Sequence, residues 1–127
     1  MKILIIDDNQ SITTMVSKYL RLKENECTVA NGGKQGLEMI LQNKYDLILM
    51  DISMPEFSGR DIVDYLEKNE ILRENNIVLF TASAITADEI DDMINRGVKG
   101  ALRKPVDLVE IDKTLARFQK QEKNYGF

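Results

Sequence analysis

The chain alternates between short apolar segments and longer segments in which apolar residues recur every three or four positions. Three of the short segments, ILII, LILM and IVLF, are continuously apolar, which is typical of strands covered on both faces of a parallel sheet. Two further short segments have a similar length but are less uniform. The predicted strands are Lys2–Ile6, Cys27–Ala30, Asp46–Met50, Ile77–Phe80 and Val98–Leu102.

The segments between the strands have helical periodicity. In the first of them, five apolar residues fall at i, i+3, i+4, i+7 and i+8, which places them on one face of an α-helix. Four similar stripes predict four more helices, and Gly97 stands where a left-handed cap residue is expected after the fourth. The stripe residues are Ile12, Met15, Val16, Tyr19 and Leu20, then Leu37, Ile40 and Leu41, Ile62 and Leu66, Ile90, Met93 and Ile94, and Leu108, Ile111, Leu115 and Phe118.

Alternating strands and helices form βαβ units, which connect parallel strands through right-handed crossovers. The pattern therefore predicts an α/β fold, a single doubly wound five-stranded parallel sheet with flanking helices. We expect one domain over residues 1–120, followed by a short polar C-terminal tail over 121–127. The beginning at Met1 and an ending without a linker-like tract slightly favour a stand-alone protein.

Composition narrows the function classes. The 127 residues include 43% hydrophobic and 30% charged residues, as in ordinary globular proteins. A net charge of −4 with scattered basic residues argues against direct nucleic-acid binding. No apolar run approaches the roughly 18–20 residues of a membrane span, so we expect no membrane insertion and a cytoplasmic location. One cysteine, Cys27, precludes an intrachain disulfide, and the lack of histidine excludes histidine-based metal sites and catalysis on this chain.

Polar residues follow four of the predicted strands, at the points where the strands end. Asp7 and Asp8 follow the first, Asp51 the third, Thr81 the fourth and Lys104 the fifth. Ligands of open parallel sheets bind beyond these carboxyl ends. Each residue alone has a structural explanation: the paired acids could cap a helix, Asp51 could belong to a turn, Thr81 favours strands and lysines are commonly solvated. Jointly, three acids, a hydroxyl and an amine at one edge of a sheet favour a functional site.

The chemistry that suits this set is magnesium-assisted phosphoryl transfer. Mg²⁺ prefers oxygen ligands and commonly takes one or two carboxylates together with a phosphate oxygen. A carboxylate can also attack phosphorus directly to form an aspartyl phosphate, with no general base required. Lysine and hydroxyl groups would stabilise the phosphoryl oxygens. Without the metal, repulsion among the acids should raise at least one carboxyl pKa and weaken the fold locally.

These residues, in this order, resemble the receiver domain of two-component response regulators, including chemotaxis-regulator-like members. The resemblance extends from Met1 to about Phe118 and depends on IDD after the first strand, MDISMPEFSG around the third, TA after the fourth and KP after the fifth. It implies a flavodoxin-like strand order of 2-1-3-4-5. It also implies a phosphoprotein that receives its phosphoryl group from a sensor histidine kinase or histidine phosphotransfer protein and controls a downstream target protein.

The resemblance also implies a role for each site residue. Asp51 would accept the phosphoryl group, and the Mg²⁺ ligands would be Asp7, Asp8, Asp51 and the Ser53 backbone carbonyl. Lys104 would pair with the phosphoryl group. The remaining implied roles are those of Thr81 as the switch hydroxyl, Ala82 as the small residue after it, and Pro105 as the proline that follows the lysine, often through a cis peptide bond.

One position departs from the family pattern. Ala101 stands three residues before Lys104, where the family usually has tyrosine or phenylalanine, so the aromatic ring that couples to the switch threonine is missing. We expect the output to depend instead on the loop after Thr81 and on the fourth helix. The fourth helix, fifth strand and fifth helix form the partner surface in the family.

Alternatives remain at this point. The chain could be a receiver excised from a longer effector-bearing regulator, or a degenerate receiver that acts only as a protein-interaction module, although a degenerate receiver is expected to lose acids or the lysine. A flavin-binding electron carrier would need a Ser/Thr/Gly-rich loop where this chain has DDNQS. A hydrolase of the haloacid dehalogenase type would need DxD there. Beyond its own phosphorylation and slow autodephosphorylation, we expect no enzyme activity.

Overall fold

Five strands and five helices alternate along the chain in the computed structural model, which describes residues 1–82 and 84–119. The predicted tail over 121–127 and the predicted domain end at residue 120 lie outside the described residues. The elements are β1 Lys2–Ile6, α1 Gln10–Leu22, β2 Glu26–Ala30, α2 Gly33–Gln42, β3 Leu47–Met50, α3 Gly59–Lys68, β4 Ile77–Thr81, α4 Ala87–Arg96, β5 Gly100–Arg103 and α5 Leu108–Gln119.

The strands form one parallel sheet in the order β2-β1-β3-β4-β5. Every residue of β3 and β4 is buried, as the continuously apolar segments predict. Alternate side chains of the sheet contribute to two separate hydrophobic clusters, one on each face. The doubly wound five-stranded fold and its strand order are therefore confirmed, and the carboxyl ends of the strands share one edge.

The fifth strand begins later than its apolar pattern predicts. The prediction was Val98–Leu102, whereas β5 spans Gly100–Arg103. Gly97, at φ 141°, ends α4 in a conformation that favours glycine, and the Val98 N–H still bonds back to a carbonyl of that helix. Val98 is apolar because it fills the core at this turn, so its hydrophobicity does not mark a strand position.

Helices α1, α3 and α4 begin with side-chain caps that were not predicted individually. Asn9 accepts a hydrogen bond from the Ile12 N–H at the start of α1, and Ser58 and Asp61 form a reciprocal capping box at the start of α3. Thr86 caps α4. These caps anchor the helices that follow the loops around the acidic edge of the sheet.

Helix α4 is packed less deeply than the other helices. Met93 is its only buried residue, and Ile94 is 41% exposed. Ion pairs attach it to α3: Arg60 pairs with Glu89 at the start of α4, and Arg96 near the end pairs with acids of α3. Ion pairs with α3 therefore supplement a small apolar contact with the core.

Two further sequence features can be placed. Cys27 is buried in β2, and burial raises the pKa of its thiol to about 11, which favours the unreactive thiol form. Among the helices of residues 1–82 and 84–119, none has the length and apolar character needed to cross a membrane.

Candidate functional site

The predicted site residues meet at the carboxyl edge of the sheet. The Asp7 N–H bonds the Ala30 carbonyl of β2, and the Asp51 N–H bonds the Ile6 carbonyl of β1, so the sheet ladder continues to the first residue of each loop. This register brings the acids after β1 and β3 side by side. The central strands β1 and β3 thus position the acidic residues.

Asp7 is the most deeply placed acid, with no solvent exposure. Its Oδ1 accepts a hydrogen bond from the Asn9 N–H at 2.9 Å, which fixes the carboxylate within the turn. Its Oδ2 lies 2.8 Å from Lys104 Nζ but in an orientation that makes no hydrogen bond. Within the part of the chain that the structure describes, Asp7 Oδ2 is the one buried side-chain oxygen or nitrogen without a hydrogen-bond partner.

Asp51 is almost as deeply buried, at 4% exposure. Its Oδ1 accepts the Ser53 N–H at 3.2 Å and its Oδ2 lies 3.6 Å from Lys104 Nζ. Burial, and secondly the charge of Asp7, raise the pKa of Asp51 from 3.8 to about 6 despite the opposing effect of Lys104. The predicted pKa increase is found at this residue, but burial contributes more to it than the repulsion on which the prediction depended.

Asp8 completes the acidic cluster from a more exposed position. One carboxylate oxygen from each of Asp7, Asp8 and Asp51 lies within 4.8 Å of the others. Two buried carboxylates and an exposed one, including the Asp7 oxygen that accepts no hydrogen bond, form a donor set of hard oxygens, which suits Mg²⁺ with several of its waters retained. The residues present therefore fit the predicted ion.

Thr81, the last residue of β4, and Lys104, which directly follows β5, lie at the same edge of the sheet as the acids. The Lys104 N–H bonds the Thr81 carbonyl at 2.7 Å, which joins the two strand ends. The Lys104 ammonium reaches across to Asp7 and Asp51 and lies 5.5 Å from the Phe80 ring centroid. The Thr81 side chain is fully buried, and its hydroxyl donates to the Ala82 carbonyl at 3.4 Å. The Lys104 ammonium is therefore shared by two carboxylates, and the Thr81 hydroxyl lies at the end of the adjacent strand.

The other predicted residues occupy the loops around this centre. Ser53 contributes its N–H to Asp51, whereas metal coordination by its carbonyl stays a prediction. Ala82 is exposed directly after β4. The Lys104–Pro105 peptide bond is cis. Ala101 is half-buried in β5, opposite Leu79 of β4, and packs against the core.

Sequence reasoning missed Asn31 and Gly33, which support the acids from the loop after β2. The Asn31 side-chain amide donates to the Asp7 carbonyl at 3.0 Å and to the Thr13 hydroxyl at 3.2 Å. A Cβ at Gly33 would lie 1.8 Å from the Phe57 carbonyl oxygen, so only glycine lets this loop meet the loop after β3. A polar residue followed by two glycines at a strand end was the available signal.

Comparison with known proteins identifies a family for this arrangement. The family model described as the response regulator receiver domain matches residues 3–116. The response regulator ArlR of Staphylococcus saprophyticus is 31% identical over 110 residues, which cover 87% of this chain and 48% of ArlR. The polar-differentiation response regulator DivK of Brucella ovis is 26% identical over 116 residues, covering 91% of this chain and 94% of DivK.

Solved structures show the same likeness. A Francisella response regulator receiver domain superposes with a TM-score of 0.84 at 25% identity, covering 96% of this chain and 98% of that one. A CheY-like receiver domain protein from Methanospirillum hungatei superposes with a TM-score of 0.82 at 25% identity, covering 98% of each chain. The chain spans about half the length of the first curated relatives that it matches, ArlR among them.

Proposed function

The chain belongs to the response regulator receiver family of two-component systems, and we propose on that basis that Asp51 accepts a phosphoryl group in a Mg²⁺-dependent reaction. The donor is the phosphohistidine of a sensor histidine kinase or a histidine phosphotransfer protein. The result is a conformational switch that controls a downstream target protein.

One observation carries this proposal. Lys104 Nζ lies between two buried carboxylates, 2.8 Å from Asp7 and 3.6 Å from Asp51, and the oxygens of Asp7, Asp8 and Asp51 converge within 4.8 Å. A purely structural ion pair needs one acid for one lysine. The excess of acids over lysine, with one buried Asp7 oxygen that accepts no hydrogen bond, supports a site that is completed by a cation and a phosphoryl group.

The chemistry follows from the side chains. An ionised oxygen of Asp51 attacks phosphorus, a phosphorus–oxygen bond forms, and the donor's phosphorus–nitrogen bond breaks with its electron pair going to the imidazole nitrogen. Bound Mg²⁺ would neutralise charge on the phosphoryl oxygens. Lys104, whose Nζ lies 3.6 Å from Asp51 Oδ2, would stabilise the same charge, and the Ser53 N–H holds the other Asp51 oxygen in place.

The switch uses Thr81, which would rotate its hydroxyl from the Ala82 carbonyl to the phosphoryl oxygens. Phosphorylation would then favour the conformation in which that contact forms. The equilibrium between the two conformations of the protein would shift toward it, and the start of α4 would move with it. The surface of α4, β5 and α5 would bind the downstream target. We also expect a cytoplasmic location, no direct contact with nucleic acid, and no activity on substrates other than the phosphodonor and the aspartyl phosphate.

A stand-alone switch and the receiver part of a longer effector-bearing regulator share this chemistry and differ in output. The chain spans 94% of DivK, as a stand-alone switch would. It spans 48% of ArlR, as the receiver part of a longer regulator would. The presence of all three acids, Thr81 and Lys104 disfavours a degenerate receiver that acts only as an interaction module.

Intact mass after incubation with acetyl phosphate and Mg²⁺ tests the proposal. We expect a single phosphoryl adduct on the wild type that is lost on chelation of the metal and in Asp51→Asn. Asp91→Asn, which removes an exposed acid of α4, is the matched control and should keep the adduct. Failure of the wild type to form an adduct with acetyl phosphate, phosphoramidate and a phosphohistidine donor would favour the degenerate receiver.

A further inference from the structure

Arg103, the last residue of β5, contacts the segment that leads from β4 into α4. Its backbone is paired with Thr81 in the sheet, and its Nη1 donates a hydrogen bond to the Ile85 carbonyl at 2.9 Å. The same residue therefore neighbours Thr81 through the strand and reaches beyond it through the side chain. It also immediately precedes Lys104.

The Ile85 carbonyl lies directly before the start of α4, so a hydrogen bond to it affects the position of that helix. The Ile85 side chain is buried in the core, and the next residue, Thr86, is the N-cap of α4, whose hydroxyl accepts the Glu89 N–H. A hydrogen bond to this carbonyl consequently holds the beginning of the helix against β5. The ion pair of Arg60 with Glu89 holds the first turn from the α3 side.

These two arginine contacts matter because the first half of α4 has no fully buried side chain, and Ile90 packs against the core while only half-buried. Met93 is its only buried residue and lies in the second half of the helix. Ala101 contributes a single methyl group on β5, so no aromatic ring links this strand to the segment after Thr81. Among the described side chains of β5, Arg103 makes the hydrogen bond to that segment.

The arrangement that Arg103 stabilises is the one in which the Thr81 hydroxyl bonds the Ala82 carbonyl. The Lys104 N–H holds the main chain of Thr81, so a turn of the hydroxyl toward Asp51 would displace Ala82 and Ile85 more readily than the strand itself. Displacement of Ile85 would carry its carbonyl away from the guanidinium. The contact with Arg103 would then be lost.

We propose that Arg103 is a positioning residue that sets the threshold of the switch by holding Ile85, and with it the start of α4, in the conformation that opposes phosphorylation. This inference rests on the proposed function. A contact present in only one of two conformations lowers the apparent affinity of any ligand that selects the other. Removal of the Arg103 donor should therefore make the site bind a phosphoryl mimic more tightly.

The test is a calorimetric titration of the Mg²⁺-saturated protein with beryllofluoride, an anionic mimic of the phosphoryl group. Arg103→Met keeps much of the side-chain stem and removes the donor. We expect about fivefold tighter binding, which corresponds to about 1 kcal/mol, the net contribution of a typical hydrogen bond, because Arg103 is exposed and water competes for its guanidinium. The loss of a positive charge near the site would by itself weaken binding of the anion, so tighter binding identifies the conformational effect.

Arg73→Met is the matched control. Arg73 Nη2 donates to the Asn95 carbonyl at 2.9 Å, which is the same type of contact at the far end of α4. This variant should bind beryllofluoride within about twofold of the wild type. Unchanged or weaker binding by Arg103→Met, or equal tightening in both variants, would overturn the inference, whereas a wild type that does not bind beryllofluoride overturns the proposed function and the inference with it.

Discussion

Replacement of Asp51 by asparagine should stabilise the metal-free protein at neutral pH. The pKa of Asp51 is raised from 3.8 to about 6, mainly because the carboxylate is buried and secondly because Asp7 is close. Each pKa unit corresponds to about 1.4 kcal/mol, so the ionised carboxylate costs the fold about 3 kcal/mol at pH 7. Asparagine has nearly the same shape, can accept the Ser53 N–H and carries no charge, so it removes this cost.

The raised pKa of Asp51 also determines how the stability difference between the wild type and Asp51→Asn depends on pH. Between pH 4 and pH 6 the folded protein binds more protons at Asp51 than the unfolded chain does, so the stability contributed by the protonated group is lost as pH rises through the folded-state pKa. The advantage of Asp51→Asn should therefore decrease from about 3 kcal/mol at pH 7 to about 0.5 kcal/mol at pH 4.

Urea denaturation in EDTA measures the difference. With a slope of about 1.5 kcal/mol per M, 3 kcal/mol moves the midpoint by about 2 M. Asp91→Asn, at an exposed position of α4, is the control for loss of an acidic charge and should leave the midpoint within about 0.3 M. Mg²⁺ at 100 times its dissociation constant should stabilise the wild type by about 2.7 kcal/mol and the variant much less.

Two results would refute the reasoning. Equal or lower stability of Asp51→Asn in EDTA at pH 7 would show that the carboxylate is not destabilised by its surroundings. An advantage that is the same at pH 4 and pH 7 would show that the stabilisation is unrelated to ionisation of Asp51.

Two other substitutions test the packing and the charges of the site. Lys104→Met leaves the buried Asp7 without its counter-charge and should destabilise the metal-free protein by about 3 kcal/mol in urea denaturation; a loss below about 1 kcal/mol would contradict the importance of this ion pair. Gly33→Ala places a Cβ 1.8 Å from the Phe57 carbonyl oxygen and should cost about 2 kcal/mol in the same assay. The neighbouring Gly32→Ala, with nothing within 4 Å, should cost less than about 1 kcal/mol, and equal losses in the two variants would refute the close approach of the loops.

The sequence by itself determined the number and alternation of the strands and helices and the residues that follow the strands. Continuous apolar segments such as LILM can be buried on both faces only within a covered parallel sheet, so local composition indicated the architecture. Parallel strands align their carboxyl ends at one edge, so the positions of Asp7, Asp51 and Lys104 in the sequence already implied that they converge. The strand order itself was implied by family resemblance, not by these patterns.

Only the tertiary structure decided how these groups interact. The decisive contacts join residues that are far apart in the sequence: Lys104 pairs with two acids, Asn31 supports Asp7, and Arg103 contacts Ile85. The raised pKa of Asp51 is a consequence of the burial and the charges that these contacts bring together. The energies of these contacts depend on distance, burial and orientation, which periodicity does not record. Val98 illustrates the same limit, since an apolar residue fills the core equally well from a turn and from a strand. Local pattern specifies which surface of each element is buried, whereas the chemistry of the site depends on which distant side chains that burial brings together.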